Sequence, residues 1–152
     1  MYKILIEKDT GLVILEDKIV LEKKISFTNF FEKIKGIDLF LNQKKEDNIN
    51  FRIDVNFLGT DFALMGEFDS NKFLSLLYLV KLNSIIAEKQ WDTTEQDILE
   101  ELEELSILFK EYFFAREIKF NGINEYSIEL EWGKISLSMT KDLYHSIVIQ
   151  YK

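Results

Sequence analysis

The clearest hydrophobic pattern in the chain is a strict alternation over residues 50–57, NFRIDVNF. Every second side chain from Phe51 onward is apolar and those between are polar, which is typical of a β-strand with one buried face. A turn at residues 59–61, GTD, then predicts an antiparallel partner strand in FALMGEF. Residues 2–7 indicate an earlier strand that turns at Asp9-Thr10-Gly11 into another. The pattern therefore predicts two β-hairpins in the first half of the chain.

The last part of the chain has the same two-residue period. Apolar and polar residues alternate over residues 126–132, YSIELEW, and the segments ISLSM and YHSIVIQY follow. Turns are predicted between them at Gly133-Lys134 and near Lys141-Asp142. Such a segment favours an antiparallel meander with one face on the core and one face in water.

Two segments between these strands have helical signals. Ser26 can cap a short helix that ends near Gly36, because serine accepts hydrogen bonds from free N–H groups and glycine favours helix ends. Asp69 is placed to cap another helix over residues 70–89, whose apolar side chains lie on nearly every side. A helix that is apolar all round is typically buried, so we expect this one at the centre of the domain.

A second long helix is predicted over residues 94–116. Its start has two alternative capping pairs, Thr93 with Gln96 or Thr94 with Asp97. Together these elements predict an α+β fold in a single domain over residues 1–152. An antiparallel β-sheet (two β-hairpins plus a C-terminal β-meander) packs on the buried central helix, and the second long helix covers it with an acidic outer face.

The charge of the chain is concentrated on that second helix. Residues 92–111 hold eight acids and one base, Lys110, whereas the whole chain has 27 acids, 19 bases and a net charge of -8. A solvated helix face is one explanation, and acids near the helix start also interact favourably with its dipole. Glu104 and Glu111 lie too far along the helix to interact favourably with the dipole at its start. Glu100 and Glu104 also form an unfavourable like-charge pair.

A helical wheel separates the residues of this helix into two sides. The core stripe consists of Ile98, Leu102, Leu105, Phe109 and Tyr112. The opposite side holds Asp97, Glu100, Glu104 and Glu111, flanked by Glu101 and Glu103. Ile107 and Phe114 lie on the acidic side, unless another element covers them. Apolar groups among unpaired acids indicate a contact surface.

The composition excludes several kinds of chemistry. The chain has no cysteine, which rules out disulfides, thiolate metal sites and a cysteine nucleophile. The single histidine, His145, is expected on the sheet surface. Glu129 and Glu131 alternate on one strand, as on a wet sheet face. Known nucleotide-binding, hydrolase and metal motifs are missing, so we expect no catalytic residue, cofactor or metal.

The net charge of -8 argues against nucleic acid or an anionic membrane as the partner, because both attract basic surfaces. The longest apolar stretch, FLSLLYLV, is eight residues and far short of the ~20 needed to span a bilayer. We therefore expect a soluble, cytoplasmic protein. Lysine outnumbers arginine 17 to 2, a skew that suggests an AT-rich bacterial or phage genome.

These observations predict a non-enzymatic, acidic protein-binding domain with a basic protein partner. By analogy of size and charge, the specific expectation is an immunity protein that neutralises a basic, nuclease-type bacterial toxin. The alternatives are a secretion chaperone or adaptor, a nucleic-acid-mimicking phage inhibitor, and a small enzyme with a deep pocket at Glu129, Glu131 or His145. The expected partner-binding residues are Asp97, Glu100, Glu101, Glu104, Ile107, Glu111 and Phe114.

Overall fold

The computed structural model describes residues 1–37, 40–45, 48–113, 118–120, 125–140 and 142–152. Within these ranges the chain forms eleven strands and three α-helices. The strands are β1 (Tyr2–Ile6), β2 (Val13–Leu15), β3 (Ile19–Leu21), β4 (Phe40–Lys45), β5 (Asn48–Phe57), β6 (Thr60–Phe68), β7 (Leu74–Lys81), β8 (Lys119–Phe120), β9 (Tyr126–Leu130), β10 (Gly133–Met139) and β11 (His145–Tyr151). The helices are α1 (Phe27–Lys33), α2 (Ile85–Lys89) and α3 (Glu95–Phe113), and a 3₁₀ turn over Gln90–Asp92 lies between the last two.

All eleven strands belong to one sheet, in the order β3-β2-β1-β5-β6-β7-β11-β10-β9-β8, with β4 also paired to β5. One edge of β5 is shared between two partners. Its first half pairs antiparallel with β4, and its second half pairs parallel with β1, where Tyr2 lies opposite Val55. The sheet is therefore mixed. The α+β class is confirmed, but the predicted antiparallel arrangement of two hairpins and a meander is not.

The predicted central helix over residues 70–89 is wrong. Residues Leu74–Lys81 form β7, which pairs antiparallel with β6 and β11, and only Ile85–Lys89 is helical. Asp69 caps no helix: its Oδ1 accepts hydrogen bonds from the N–H groups of Asn71 (2.9 Å) and Phe73 (3.0 Å) and closes the β6–β7 turn. A short apolar run satisfies a buried helix and a central strand equally well, and an aspartate at its start is favourable in both caps and turns.

Two other turns are displaced from their predicted positions. The β5–β6 turn consists of Leu58 and Gly59, which both have positive φ, 51° and 82°, as a tight two-residue hairpin turn requires. The β9–β10 turn is Glu131-Trp132, since Gly133 already pairs with Leu130 in the strand. Each turn therefore begins before the residue that the sequence indicates.

The core lies between the sheet and helices α1 and α3. On α1, the buried Phe30 ring packs 4.4 Å from Phe51 of β5, measured between ring centroids. On α3, Tyr112 packs against Phe57 with centroids 4.8 Å apart. The Tyr112 hydroxyl also donates to Ile6 O (2.7 Å) and accepts from Ile6 N–H (2.9 Å). These contacts hold the C-terminal end of α3 against β1 and β5.

Candidate functional site

The start of α3 is held by a reciprocal capping pair. The Thr94 N–H donates to Asp97 Oδ2 (3.0 Å), and the Asp97 N–H donates to Thr94 Oγ1 (3.1 Å). Lys89 Nζ also donates to Asp97 Oδ1 at 2.9 Å. The Lys89 hydrogen bond, followed by that from the Thr94 backbone, lowers the pKa of Asp97 from 3.8 to about 2. Asp97, an expected partner-binding residue, is thus engaged within the protein.

The outer side of α3 forms an acidic surface as predicted. We use the name acidic surface for the exposed residues Glu100, Glu103, Glu104, Ile107 and Glu111. Within the described residues, no salt bridge involves any of these four carboxylates. The nearby base does not neutralise them, because Lys110 Nζ lies over the Tyr126 ring, 4.6 Å from its centroid. The Ile107 side chain is 53% exposed. Phe114, the remaining expected contact, lies outside the described residues.

Glu101 does not belong to the acidic surface, although it was expected to flank it. The residue is only 6% exposed, and its carboxylate faces the sheet. Oε1 lies 2.8 Å from His145 Nδ1, while Oε2 accepts from the Ile85 N–H (2.6 Å) and Lys81 Nζ (3.3 Å). A buried carboxylate with three partners cannot also meet a protein partner, so this position needs a different role.

Sheet pairing brings the partners of Glu101 together. Val80 of β7 lies opposite Ser146 of β11, so Lys81 and His145 are neighbours on the face that α3 covers. His145 is 0% exposed, which corrects its expected place on the sheet surface. The sheet therefore positions two basic side chains, and α3 places one carboxylate above them.

The ionisation state of Glu101 determines which ring nitrogen of His145 carries the proton. Burial is the largest influence on Glu101 and acts to raise its pKa, but the hydrogen bonds from His145 and Ile85 and the charge of Lys81 outweigh it. The pKa of Glu101 is consequently lowered from its ordinary value of 4.5. An ionised carboxylate only accepts hydrogen bonds, so His145 must carry its proton on Nδ1. In the neutral ring Nε2 is then an acceptor.

The sequence contained a signal that Glu101 is buried, although the helical wheel was read as placing this residue beside the acidic side. Glu101 follows Ile98 by three residues and precedes Leu105 by four, and both spacings place side chains on the same side of a helix. At 100° per residue, Glu101 lies about 40° from Leu105. A lone acid at the edge of the core stripe indicates a buried partner. The sequence does not indicate that this partner is His145.

A cavity of about 600 Å³ opens beside His145. It lies between α2, the start of α3, the end of β10 at Met139 and the start of β11 with Leu143 just before it. Its apolar wall consists of Ile86, Ile98, Leu99, Leu102, Met139 and Leu143. Trp91 is 99% exposed at its rim. The neighbouring lining residue Gln90 has φ 49° and ψ -116°, a backbone conformation that costs a non-glycine residue about 1–3 kcal/mol.

Two polar atoms of the cavity lining are buried without a partner. Among the described residues, His145 Nε2 and Thr93 Oγ1 are the buried side-chain polar atoms that make no hydrogen bond. Both residues line this cavity. An unpaired buried polar atom costs about 1–3 kcal/mol and is rare in folded proteins. Because both unpaired atoms belong to residues that line one cavity, this cavity is a candidate site for a ligand that forms hydrogen bonds.

The other carboxylates considered from the sequence are not at this cavity. Glu129 is exposed on β9 and Glu131 is exposed in the β9–β10 turn. Nor do the described residues contain a group of three or more histidine, aspartate or glutamate side chains arranged to hold a metal ion.

None of the helices that the structure describes is long and apolar enough to cross a membrane. Comparison with protein-family models, with curated proteins and with solved structures found no match to this chain.

Proposed function

We propose that this chain is a non-enzymatic protein-binding domain that binds a basic protein through its acidic surface. The more specific proposal is a bacterial, cytoplasmic immunity protein that neutralises a nuclease-type toxin. The observation that carries it is the group of four exposed carboxylates around the exposed Ile107, none of which forms a salt bridge within the described residues. A basic nuclease binds a polyanion, so an acidic helix can occupy its substrate face.

The charge distribution on α3 is unfavourable for an isolated helix. Glu100 and Glu104 are one turn apart, and like charges at this spacing destabilise a helix by a few tenths of a kcal/mol. Lysine at either position would give a stabilising pair instead. A partner that supplies lysine or arginine side chains would relieve the repulsion, and its encounter would be accelerated by the complementary field.

Exposed apolar side chains lie beside the charges. Ile107 is 53% exposed and Leu99 is 47% exposed on α3, and Trp91 is 99% exposed just before it. Aromatic and aliphatic side chains with a polar rim are typical of protein interfaces, in which tryptophan frequently contributes much of the binding energy. The acids would then select the partner, and these apolar groups would contribute most of the affinity.

The experiment compares two triple charge reversals with the same net charge. One changes Glu100, Glu104 and Glu111 to lysine on the acidic surface. The control changes Asp9, Glu22 and Glu129 to lysine, which are exposed residues outside α3. Candidate partners come from co-expression with the neighbouring open reading frame and from pull-downs at about 50 mM and about 500 mM salt, a range that progressively screens surface charges. Association rates are then measured with the purified partner.

The proposal predicts capture of a basic protein at low salt, and loss of its nuclease activity in the complex. The acidic-surface variant should associate about tenfold more slowly or worse, with a weaker salt dependence, because electrostatic steering contributes factors of about 10–10³. The control variant should retain most of the rate. Equal rates for the two variants would exclude α3 as the docking site. A captured partner without nuclease activity would favour the adaptor alternative.

A further inference from the structure

The cavity beside His145 is separate from the acidic surface in chemistry. Its wall is apolar, and among the described lining residues Glu95 is the one carboxylate. The volume of about 600 Å³ is within the range of about 300–1,000 Å³ that is usual for small-molecule sites. Such sites combine apolar walls with a few polar groups that orient the ligand.

The polar groups of this cavity have defined hydrogen-bonding roles. Glu101 accepts from His145 Nδ1, 2.8 Å from its Oε1, and in the neutral tautomer that this selects, Nε2 is an acceptor. Thr93 Oγ1 can donate or accept. Because both atoms lack any partner, they do not bond to each other. They are two separate attachment points and do not form a nucleophile–base pair of the kind that hydrolysis requires.

The charges near the cavity restrict the ligand further. Lys81 is already paired with Glu101 at 3.3 Å, and no lysine or arginine is among the described residues that line the cavity. Glu95 would repel an anion at the entrance. A charged ammonium group would lose its hydration inside an apolar wall. The lining therefore favours a neutral molecule.

We infer that this cavity binds a neutral, mainly apolar small molecule that donates one hydrogen bond to His145 Nε2, with Thr93 Oγ1 as a second attachment point. The exposed Trp91 at the rim offers an aromatic surface to the part of the ligand that remains near solvent. This site does not depend on the acidic surface or on a basic protein partner.

The test uses indole and benzothiophene as probes with ¹H–¹⁵N NMR spectra of the full chain. The two molecules have nearly the same shape, but only indole has an N–H donor. Benzothiophene is the more hydrophobic, so burial alone would make it the tighter ligand. We expect indole to bind about tenfold more tightly, since a hydrogen bond to a buried acceptor contributes up to about this factor. The His145 Nε2 resonance should shift on binding.

Three variants distinguish the contribution of the cavity to binding from the contribution of the hydrogen bond to the preference for indole. Ile98→Trp fills the cavity and should abolish binding of both probes. His145→Phe removes the acceptor and should abolish the preference for indole. Should that variant fail to fold, Glu101→Gln offers the same test, because the glutamine amide donates to Nδ1 and places the proton on Nε2. We expect this change also to remove the preference.

Several results would overturn the inference. One is the absence of shifts at cavity residues with millimolar concentrations of either probe. Others are equal affinities for the two probes, tighter binding of benzothiophene, or a preference for indole that survives in Glu101→Gln. None of these results bears on the acidic surface, whose test uses different variants and a protein partner.

Discussion

Replacing Glu101 with alanine removes a carboxylate that accepts from three groups of the fold. His145 Nδ1, the Ile85 N–H and Lys81 Nζ lie 2.8, 2.6 and 3.3 Å from its oxygens. His145 is 0% exposed, so after the change its Nδ1 proton has no access to water. The Lys81 side chain is 19% exposed and can partly regain solvent. The substitution therefore leaves the His145 donor fully unpaired, the Lys81 ammonium partly so, and the Ile85 N–H without its acceptor.

The expected loss in the free energy of unfolding follows from these three contacts. Removing one partner of a buried charged pair costs about 3–5 kcal/mol, and the partial exposure of Lys81 places Glu101→Ala near the lower end, at about 3–4 kcal/mol. A domain of this kind has a total stability of about 5–15 kcal/mol, so the variant should still fold. With a urea m-value of about 2 kcal/mol/M, the unfolding midpoint should fall by roughly 1.5–2 M.

Urea unfolding at neutral pH, followed by far-UV circular dichroism and by tryptophan fluorescence, measures this loss. The matched control is Glu100→Ala, which removes an exposed carboxylate one position earlier on α3 and should change the free energy of unfolding by less than about 0.5 kcal/mol. Glu101→Gln should be intermediate, because the amide keeps the shape and some of the hydrogen bonds. Equal midpoints for the two alanine variants would refute the buried position of Glu101. A changed m-value would instead show that the substitution altered the compactness of the unfolded or native state or broke two-state unfolding.

Three further predictions concern acid stability, backbone strain and packing. The pKa values of Asp97 and Glu101 are lowered by folding, from 3.8 to about 2 and downward from 4.5, so their stabilisation is complete above these ordinary values and is lost as pH falls through the lowered ones. The midpoint in urea should therefore drop as the pH falls from about 5 to about 2, and less steeply in Glu101→Gln; a parallel decline in the variant would contradict this. Gln90→Gly should raise the free energy of unfolding by about 1 kcal/mol because glycine adopts positive φ without strain, and a loss of stability would count against the strained geometry. Gly66→Ala should lower it by about 1–3 kcal/mol, because the new Cβ would overlap the Phe51 ring. Gly36→Ala, where no atom lies within 4 Å but φ is 90°, measures the cost of a positive φ without a steric overlap.

Local signals in the sequence predicted the elements that depend on neighbouring residues. Thr94 and Asp97 form the reciprocal cap at the start of α3, and Ser26 Oγ accepts from the Asn29 N–H at the start of α1 (3.2 Å). The alternation over residues 51–57 corresponds to the buried face of β5. Each of these features is determined by spacings of two to four residues, so no distant contact is needed to recognise it.

The sequence predicted the acidic surface but not the cavity beside His145. The wheel placed Glu100, Glu104, Ile107 and Glu111 on the exposed side of α3, because a long amphipathic helix has only one side that can face the core. The helical wheel missed the cavity, since the described residues that line it come from two distant stretches of the chain, 86–102 and 139–145. His145 and Glu101 are 44 positions apart, and nothing local to either residue identifies the other.

The sequence by itself determined the amphipathic helix, the caps at the starts of α1 and α3, the strongest strands and the position of the acids on one helix face. The tertiary structure decided that residues 74–81 are a strand, because hydrogen bonds to β6 and β11 on both edges outweigh any helical tendency of an apolar run. It also decided the parallel pairing of β1 with β5 and the burial of Glu101 against His145. Periodicity records which side of an element is apolar, whereas strand partners and the crossing of α3 over β7 and β11 depend on contacts between residues that are distant in the chain.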